Sequence, residues 1–528
     1  MKIRITGINC GQKQCIMPTG RLVCVSVPVW HFATNRKHSE ESIFFDKISS
    51  QWAFTVLVMK HVDLLLINPP FHIRNGGGNF FPIGLGHIVS SVDARGYTWD
   101  VVDCTKIITA FFADNLKIFS EKLRIELATY SPQMIGIGPC ITSQLRALFL
   151  ISQCCRDLFP KIPIVAGGPL ASIDGQEWVF FERLGVHYIV KGDGEEAIPE
   201  AINAVKELGD ITHCKLISTP GHLHCNMIQD INSLQFPHRM FDGNDKFSVR
   251  RSAPDKKKMT AAMISSRGCS YNCRYCVSGN TNLGNVRKRT NANTISEMEL
   301  LSIRHGVNDF AFYDDCFISN PKTAWKDVET FCNLLLHKNL GISWQMELRP
   351  DVLVALNDAS IYLLEKSGCR QINLGIEKIT NTGLQFLGKA NSLAGLREQN
   401  NRIKDISRIK LSATFILGGG HESKSDVMHL IDESKTLSLD FAHFNPLFVY
   451  PGTPLYDDVF QDEKVWVEFI LRDDMPWGEI VYENKDLKRS DLLELIDTAY
   501  SSFYENSRFS TQEMIRDRFN IKKERRCL

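Results

Sequence analysis

The run Arg267-Gly268-Cys269-Ser270-Tyr271-Asn272-Cys273-Arg274-Tyr275-Cys276 puts three cysteines on one short loop, with three residues between the first two and two between the last two. Three thiolates this close can hold three corners of a cubic iron–sulfur cluster and leave the fourth iron without a protein ligand. Clusters held at all four corners usually carry electrons, whereas an open coordination position marks catalysis at metal sites generally. A structural zinc site needs four ligands, usually as two separated pairs, and no second Cys/His pair of that spacing accompanies this one. A disulfide among three clustered cysteines would leave an odd thiol.

The spacing, with the aromatic Tyr275 just before the last cysteine, resembles that of the radical S-adenosylmethionine (SAM) superfamily. The resemblance implies a 4Fe-4S cluster on Cys269, Cys273 and Cys276 that chelates SAM through its amino and carboxylate groups. Electron transfer would then cleave SAM to methionine and a 5′-deoxyadenosyl radical.

Downstream of the loop the chain reads as strand–helix units. Ala261–Ser266 forms a strand running into the cysteines. Asp309–Tyr313 ends at Asp314-Asp315, Ile342–Glu347 leads to Arg349, Gln371–Ile376 ends at Glu377, Leu411–Leu417 ends at Gly418-Gly419-Gly420, and His443–Val449 follows. Polar or glycine-rich residues collect at the strand C-termini, where parallel barrels carry their sites. The resemblance implies a partial (β/α)6 barrel with the cluster at its mouth. It also implies that Glu377, Glu347 and Arg349 meet the ribose and methionine parts of SAM, and that Gly418 and Gly419, with Ile416, pack near adenine. Asp314 and Asp315 match an acidic pair of cobalamin-linked members. A carboxylate suits two vicinal hydroxyls because it offers only acceptors. The competing reading for each is a salt bridge at a loop. Arg267, Arg274 and the run Arg287-Lys288-Arg289 could raise the potential of an anionic cluster, although salt bridging is the commoner use of such residues.

Upstream, Val62–Ile67, Trp99–Val102, Met134–Gly138, Pro163–Ala166 and His187–Val190 read as buried strands. They alternate with helices over Gly84–Arg95 and Gln144–Phe159, the latter capped by Thr142 or Ser143. Strands spaced by helices, with glycines after them, predict a Rossmann-like doubly wound parallel sheet. Gly167, Gly168, Gly192, Gly194 and Glu195 lie at the ligand-binding ends, where glycine lets a planar ligand approach the backbone. Tight turns explain the same glycines equally simply. The ordered set Asn68-Pro69-Pro70, Pro82-Ile83-Gly84-Leu85-Gly86, Gly96-Tyr97 through Asp103, Ala166-Gly167-Gly168-Pro169 and Gly192-Asp193-Gly194-Glu195-Glu196 resembles the cobalamin-binding domain that precedes the barrel in one large radical SAM subfamily. The resemblance covers roughly residues 60–205. The Asp-x-His-x-x-Gly signature is absent, so cobalamin is expected without a histidine below its cobalt.

The 528 residues therefore divide into an N-terminal extension (1–58), the cobalamin-type domain (59–205), a polar connector (206–254), the radical SAM domain (255–455) and a helical, aromatic C-terminal region (456–528). Met59 opens what looks like a normal domain start, so the extension is expected to be a true addition or an artefact of the gene model. The resemblance implies that the C-terminal region folds over the barrel mouth, although plain core packing explains most of its aromatics. The net charge of +1 gives no electrostatic case for nucleic acid. No apolar run approaches the ~18 residues of a membrane span. Sixteen scattered cysteines in so long a chain suit a reducing, cytoplasmic compartment. The expected activity is methylation of an unactivated carbon, or phosphorus, of a small-molecule intermediate, with electrons from a flavodoxin- or ferredoxin-type donor. One SAM would methylate the cobalamin and a second would make the radical. The alternatives are a cobalamin-linked oxidative cyclisation or ring rearrangement, and a non-catalytic iron–sulfur protein. No motif singles out a catalytic side chain.

Overall fold

The apolar run after Met59 becomes a nine-residue strand, Lys60–Asn68 (β1), whose last seven residues are all buried. The computed structural model describes residues 59–70, 82–107, 115–239, 259–281, 285–389, 393–460, 462, 464–471 and 480–505. The 1–58 extension and the basic end of the chain lie outside the described residues. β1 pairs in parallel with Trp99–Asp103 (β2) and Tyr130–Ile137 (β3), and the sheet continues through Ile164–Gly167 (β4), Tyr188–Gly192 (β5) and Cys225–Asn226 (β6). The strand order is β2-β1-β3-β4-β5-β6. It reverses between β1 and β3, the switch point at which open α/β sheets bind ligands.

Alternation along β1 decides which helix packs where. Leu64 and Leu66 face Ile83–Asp93 (α1) and Ala197–Leu208 (α4), with Leu85, Val89 and Ala201 in their cluster. Leu65 and Ile67 point the other way, toward Asn115–Leu127 (α2) and Leu145–Leu158 (α3), with Leu123 and Ile151 in theirs. The two-residue period of a strand thus sorts one apolar run into two cores.

Two local expectations are corrected. Thr142–Gln144 is a 3₁₀ turn and neither Thr142 nor Ser143 caps α3, because the Gln144 side chain reaches back to the Ile141 N–H instead (3.1 Å). The polar connector supplies β6, too short to leave a periodic signal.

The second sheet contains Thr260–Met263 (β7), Asp309–Phe312 (β8), Ser343–Leu348 (β9), Cys369–Glu377 (β10), Lys410–Leu417 (β11) and Phe441–Pro446 (β12). All six are parallel and lie in chain order. Among the described residues β7 and β12 do not pair, so the barrel is partial, as expected. Helices such as Asn291–His305 (α5) and Lys424–Lys435 cover its outside. Thr290 caps the first through the Asn293 N–H, and Ser423 and Asp426 form a capping box on the second. Trp344, Phe312, Phe317 and Phe331 pack edge-on or tilted, with ring centroids 4.8–6.1 Å apart. The first barrel strand is shorter than expected. Its chain leaves the sheet after Met263, and Ser266–Arg267 pairs antiparallel with Arg287–Lys288.

In the C-terminal region, Arg489–Tyr504 runs along the outer edge of β12, and its Leu492 reaches Gly418 at the C-terminal end of β11. The Tyr504 hydroxyl accepts the Ala442 N–H (2.9 Å) and donates to its carbonyl (3.0 Å), and the Tyr500 hydroxyl accepts the Phe444 N–H (3.3 Å). Two phenols thereby satisfy an open sheet edge. Pro454–Val459 and Val465–Leu471 turn back to the first sheet, where Tyr456 and Trp466 join the α3 cluster and the Trp466 indole N–H donates to Gln176 (2.8 Å).

Candidate functional site

The cysteine loop is tied down before it begins. The Ser265 N–H (3.0 Å), the Ser265 hydroxyl (2.8 Å) and the Ser266 hydroxyl (2.5 Å) all donate to Asp314, at the end of β8. Burial pushes the Asp314 carboxyl up, and these bonds oppose the rise. Asp314 thereby anchors the start of the cysteine loop, chiefly through Oδ1. Gly268 then takes φ +94°, the left-handed region open to glycine, and hands the chain to Cys269.

Cys269, Cys273 and Cys276 are half-buried, unpaired thiols. Burial raises Cys269 and Cys273; Cys276 adds to both, and Cys269 adds to Cys273. Among the described residues no three His, Cys, Asp or Glu side chains converge on one metal-ion position. A single zinc with 2.3 Å bonds would need its sulfurs within about 4 Å of one another, whereas a four-iron cube spreads them wider. The donor set suits a cluster better than one ion. The Arg349 guanidinium lies over the Tyr271 ring, 3.6 Å from its centroid, and bonds Asp351 (3.1 Å). Its charge favours the thiolates of Cys269 and Cys273.

Glu377 ends β10 with φ +67°, a strained value for a non-glycine residue. Its Oε1 lies 3.5 Å from the Lys389 ammonium, which also donates to the Gly375 carbonyl (2.5 Å). Tyr275, from the cysteine loop, stands close enough to Glu377 to help hold its carboxyl down. Burial pushes the Glu377 carboxyl up, and Lys389 is the chief opposing influence. Oε2 is buried with no partner among the described residues. An orphaned buried acceptor beside a strained backbone is a binding position waiting for a donor. Lys389 escaped the sequence reading because nothing local marks a lysine twelve positions away as Glu377's partner.

Glu347 ends β9 and stays open to solvent within the concave mouth. Surrounding protein and the carboxylates of Glu377, Asp314 and Asp315 push its carboxyl up to about 7. Asp315 is exposed and accepts from Ser278 (2.6 Å). Gly418 and Gly419 have φ +80° and +121°. A Cβ on either would meet Leu492, or Leu447 and Phe386, at 3.0 Å, and the Gly418 carbonyl accepts from the buried Lys378 (2.7 Å). Backbone geometry and packing account for both glycines. Arg274 pairs with Asp458 and donates to the Phe386 carbonyl (3.1 Å), a structural use.

A cavity of 390 Å³ opens between the two sheets, lined by Leu66, Gly138, Gly167, Val190, Arg267 and Asp315 among others. It sits at the β1/β3 switch point and reaches the cysteine loop at Gly268. Its glycines divide into two kinds. A Cβ on Gly168 would come 2.5 Å from the Cys140 nitrogen, one on Gly192 2.0 Å from the Asn226 carbonyl, and one on Gly194 2.8 Å from Ile88. The protein's own backbone requires Gly168 and Gly192, whereas at Gly194 the tip of Ile88 could shift. A Cβ on Gly84 meets nothing within 4 Å, and one on Gly167 only touches Val190. At those two positions no described residue demands the glycine, and the open backbone leaves room for the approach of a large planar group. Glu195 and Asp193 instead hold Arg267, with 2.7 Å between Arg267 Nη1 and Asp193 Oδ1. His87 also lines the cavity. Burial pushes its imidazole down to about 3, so the ring is neutral and its Nδ1–H donates to the Gln235 carbonyl (3.1 Å).

Residues 263–433 match the Radical SAM superfamily. The chain is 26% identical over 466 residues to an uncharacterized methyltransferase of Pyrococcus horikoshii, covering 84% of this chain and 93% of that one. Its fold is similar to that of the radical SAM methyltransferase TsrM from Kitasatospora setae, solved with a tryptophan substrate and a SAM analogue (TM-score 0.57, 18% identity, 75% and 76% of the two chains). It is also similar to the cobalamin-dependent SAM radical enzyme OxsB, solved with aqua-cobalamin and SAM (TM-score 0.58, 15% identity, 85% and 67% of the two chains).

Proposed function

We propose, from the premise that this chain carries a radical SAM domain and has methyltransferase homologues, that it is a cobalamin-using radical SAM enzyme that methylates a carbon or phosphorus of a small molecule. The observation that carries the reading is the placement of three unpaired cysteines between Glu377's orphaned oxygen and the glycine-cradled cavity. When bound, the cluster supplies an electron to SAM and the corrinoid supplies a methyl group.

The chain's own residues bind, orient and exclude water. Cys269, Cys273 and Cys276 hold the cluster. Glu377, with its free Oε2, would accept from the SAM amino group or ribose, and Lys389 balances its charge. Glu347 and Asp315 are acceptors at the mouth, and Arg349 supports the cysteine loop. Gly84 and Gly167 let the corrin approach the first sheet. A cavity that reaches the cysteine loop would bring two reacting groups to one substrate atom.

An external flavodoxin- or ferredoxin-type donor supplies electrons. A reducing cytoplasm suits the twelve described cysteines, all of them free. Among the described residues no helix is long and apolar enough to cross a membrane.

The test is anaerobic reconstitution with iron, sulfide and cobalamin, then incubation with SAM, a reductant and candidate substrates. A cluster spectrum, 5′-deoxyadenosine and a product heavier by one methylene support the reading. Deoxyadenosine with a product lighter by two hydrogens would make the enzyme an oxidative cyclase, and absence of deoxyadenosine would end the proposal.

A further inference from the structure

Residues 265–267 are stitched to both halves of the molecule. Ser265 and Ser266 face the barrel and bond Asp314. Arg267, the next residue, faces the first sheet, where Nη1 bonds Asp193 at 2.7 Å and Nη2 pairs with Glu195. Its partner in the antiparallel ribbon, Arg287, also pairs with Asp193 and donates to the Ile228 carbonyl (2.7 Å). The Ile228 N–H closes the ring by donating to Asp193 (2.8 Å). Asp193, Glu195 and Arg287 are buried, and Arg267 is nearly so. Only Gly268 separates Arg267 from Cys269.

Two guanidiniums and two carboxylates make a quartet of zero net charge in the wall shared by the cavity and the cysteine loop. Buried charges of this kind are stable only when matched, and removing one member leaves its partners unpaired. Near a low-dielectric wall such an unbalanced charge acts over several ångströms.

We propose that Arg267 is a positioning residue that registers Cys269 against the first sheet, and that Asp193 and Glu195 serve Arg267, not a bound cofactor. The quartet also keeps the field at the cysteine loop neutral. This rests on the reading that Cys269, Cys273 and Cys276 hold an iron–sulfur cluster. A cluster's potential follows nearby charge, so the two sides of the quartet act on it with opposite sign. Glu195→Gln leaves a surplus positive charge and raises the midpoint potential. Arg267→Gln leaves a surplus negative charge and lowers it. The double variant is neutral again and returns toward the parent value.

The experiment is an anaerobic redox titration followed by electron paramagnetic resonance, on full-length reconstituted protein without cobalamin. Iron content and melting temperature are recorded for each variant. Opposite shifts that cancel in the double variant are expected. Arg267→Lys, which keeps the charge but loses the fork, should leave the potential and the KM for SAM near the parent values and lower the rate of deoxyadenosine formation at least tenfold. Unshifted potentials, or two shifts of the same sign with the cluster fully assembled, would overturn the proposal. So would a fully active Arg267→Lys. If Arg267→Gln does not fold, the sign of the Glu195→Gln shift decides the electrostatic part. Parent protein that binds no iron would sink the cluster reading itself, a result distinguishable from all of these.

Discussion

The ammonium of Lys389 lies 3.5 Å from Oε1 of Glu377, and both side chains are buried at the end of β10. The pair leaves Oε2 of the same carboxylate without a partner. Lys389→Met removes the main influence holding the Glu377 carboxyl down, so that carboxyl rises further and becomes a poorer acceptor for a cationic or hydroxyl donor. The expected outcome is a SAM KM raised by tenfold or more with iron content unchanged. An unaltered KM would show that Lys389 has no part in SAM binding.

Cys273→Ala should abolish SAM cleavage and most iron binding, because two thiolates are left to hold the cluster. Cobalamin binding should persist, since the cradle at Gly84 and Gly167 belongs to the first sheet. Corrin absorbance after gel filtration checks this. Its loss in a folded variant would break the separation of the two sites.

Glu347 gives a pH-dependent stability. Its carboxyl is raised from the ordinary 4.5 to about 7, first by burial and then by Glu377, Asp314 and Asp315. The folded state therefore binds this proton more tightly than the unfolded state. Below about pH 4.5 the group is protonated in both states and costs nothing. Stability falls as pH rises from there to about 7 and stays lower above it. Glu347→Gln should raise the melting temperature at pH 8 and leave it unchanged at pH 4. Solvent access at the mouth keeps the gain small. Equal effects at both pH values would refute the assignment.

The two kinds of cavity glycine separate experimentally. Gly192→Ala puts a Cβ 2.0 Å from the Asn226 carbonyl at φ +79°, and should destabilise the fold by more than about 1 kcal/mol. Gly84→Ala sits in α1 with open space around it, so it should stabilise by about 0.5–1 kcal/mol. The same methyl should weaken cobalamin binding, measured by equilibrium dialysis. Normal cobalamin affinity in a stabilised Gly84→Ala protein would remove Gly84 from the cradle.

Tyr504→Phe strips the hydroxyl that serves both the N–H and the carbonyl of Ala442. A buried, unsatisfied edge group costs about 1–3 kcal/mol. Urea denaturation should show a loss in that range, and Phe503→Leu beside it a smaller one.

What could be read from the chain was local. The cysteine spacing, the alternating faces of β1 and the polar ends of the barrel strands are short-range patterns, and each led to the right element. The misreadings share a cause. β6 has two residues, so no period exists to detect. Asp314 stands at a strand end, but no spacing in the sequence shows that Ser265 and Ser266 donate to it. Glu195 looked like part of a cofactor loop, yet its partner Arg267 is 72 positions away. Gly192 marks a close approach, but the approaching atom is the Asn226 carbonyl and not a ligand. Long-range pairing of buried charges leaves no spacing in the sequence.

Tyr456 and Trp466 lie in the same apolar cluster as α3, although they follow the barrel in the chain. The two sheets thus share part of one apolar interior. Parting the sheets would expose those aromatic side chains to water, so any motion that admits a ligand costs least at the rim of the cavity.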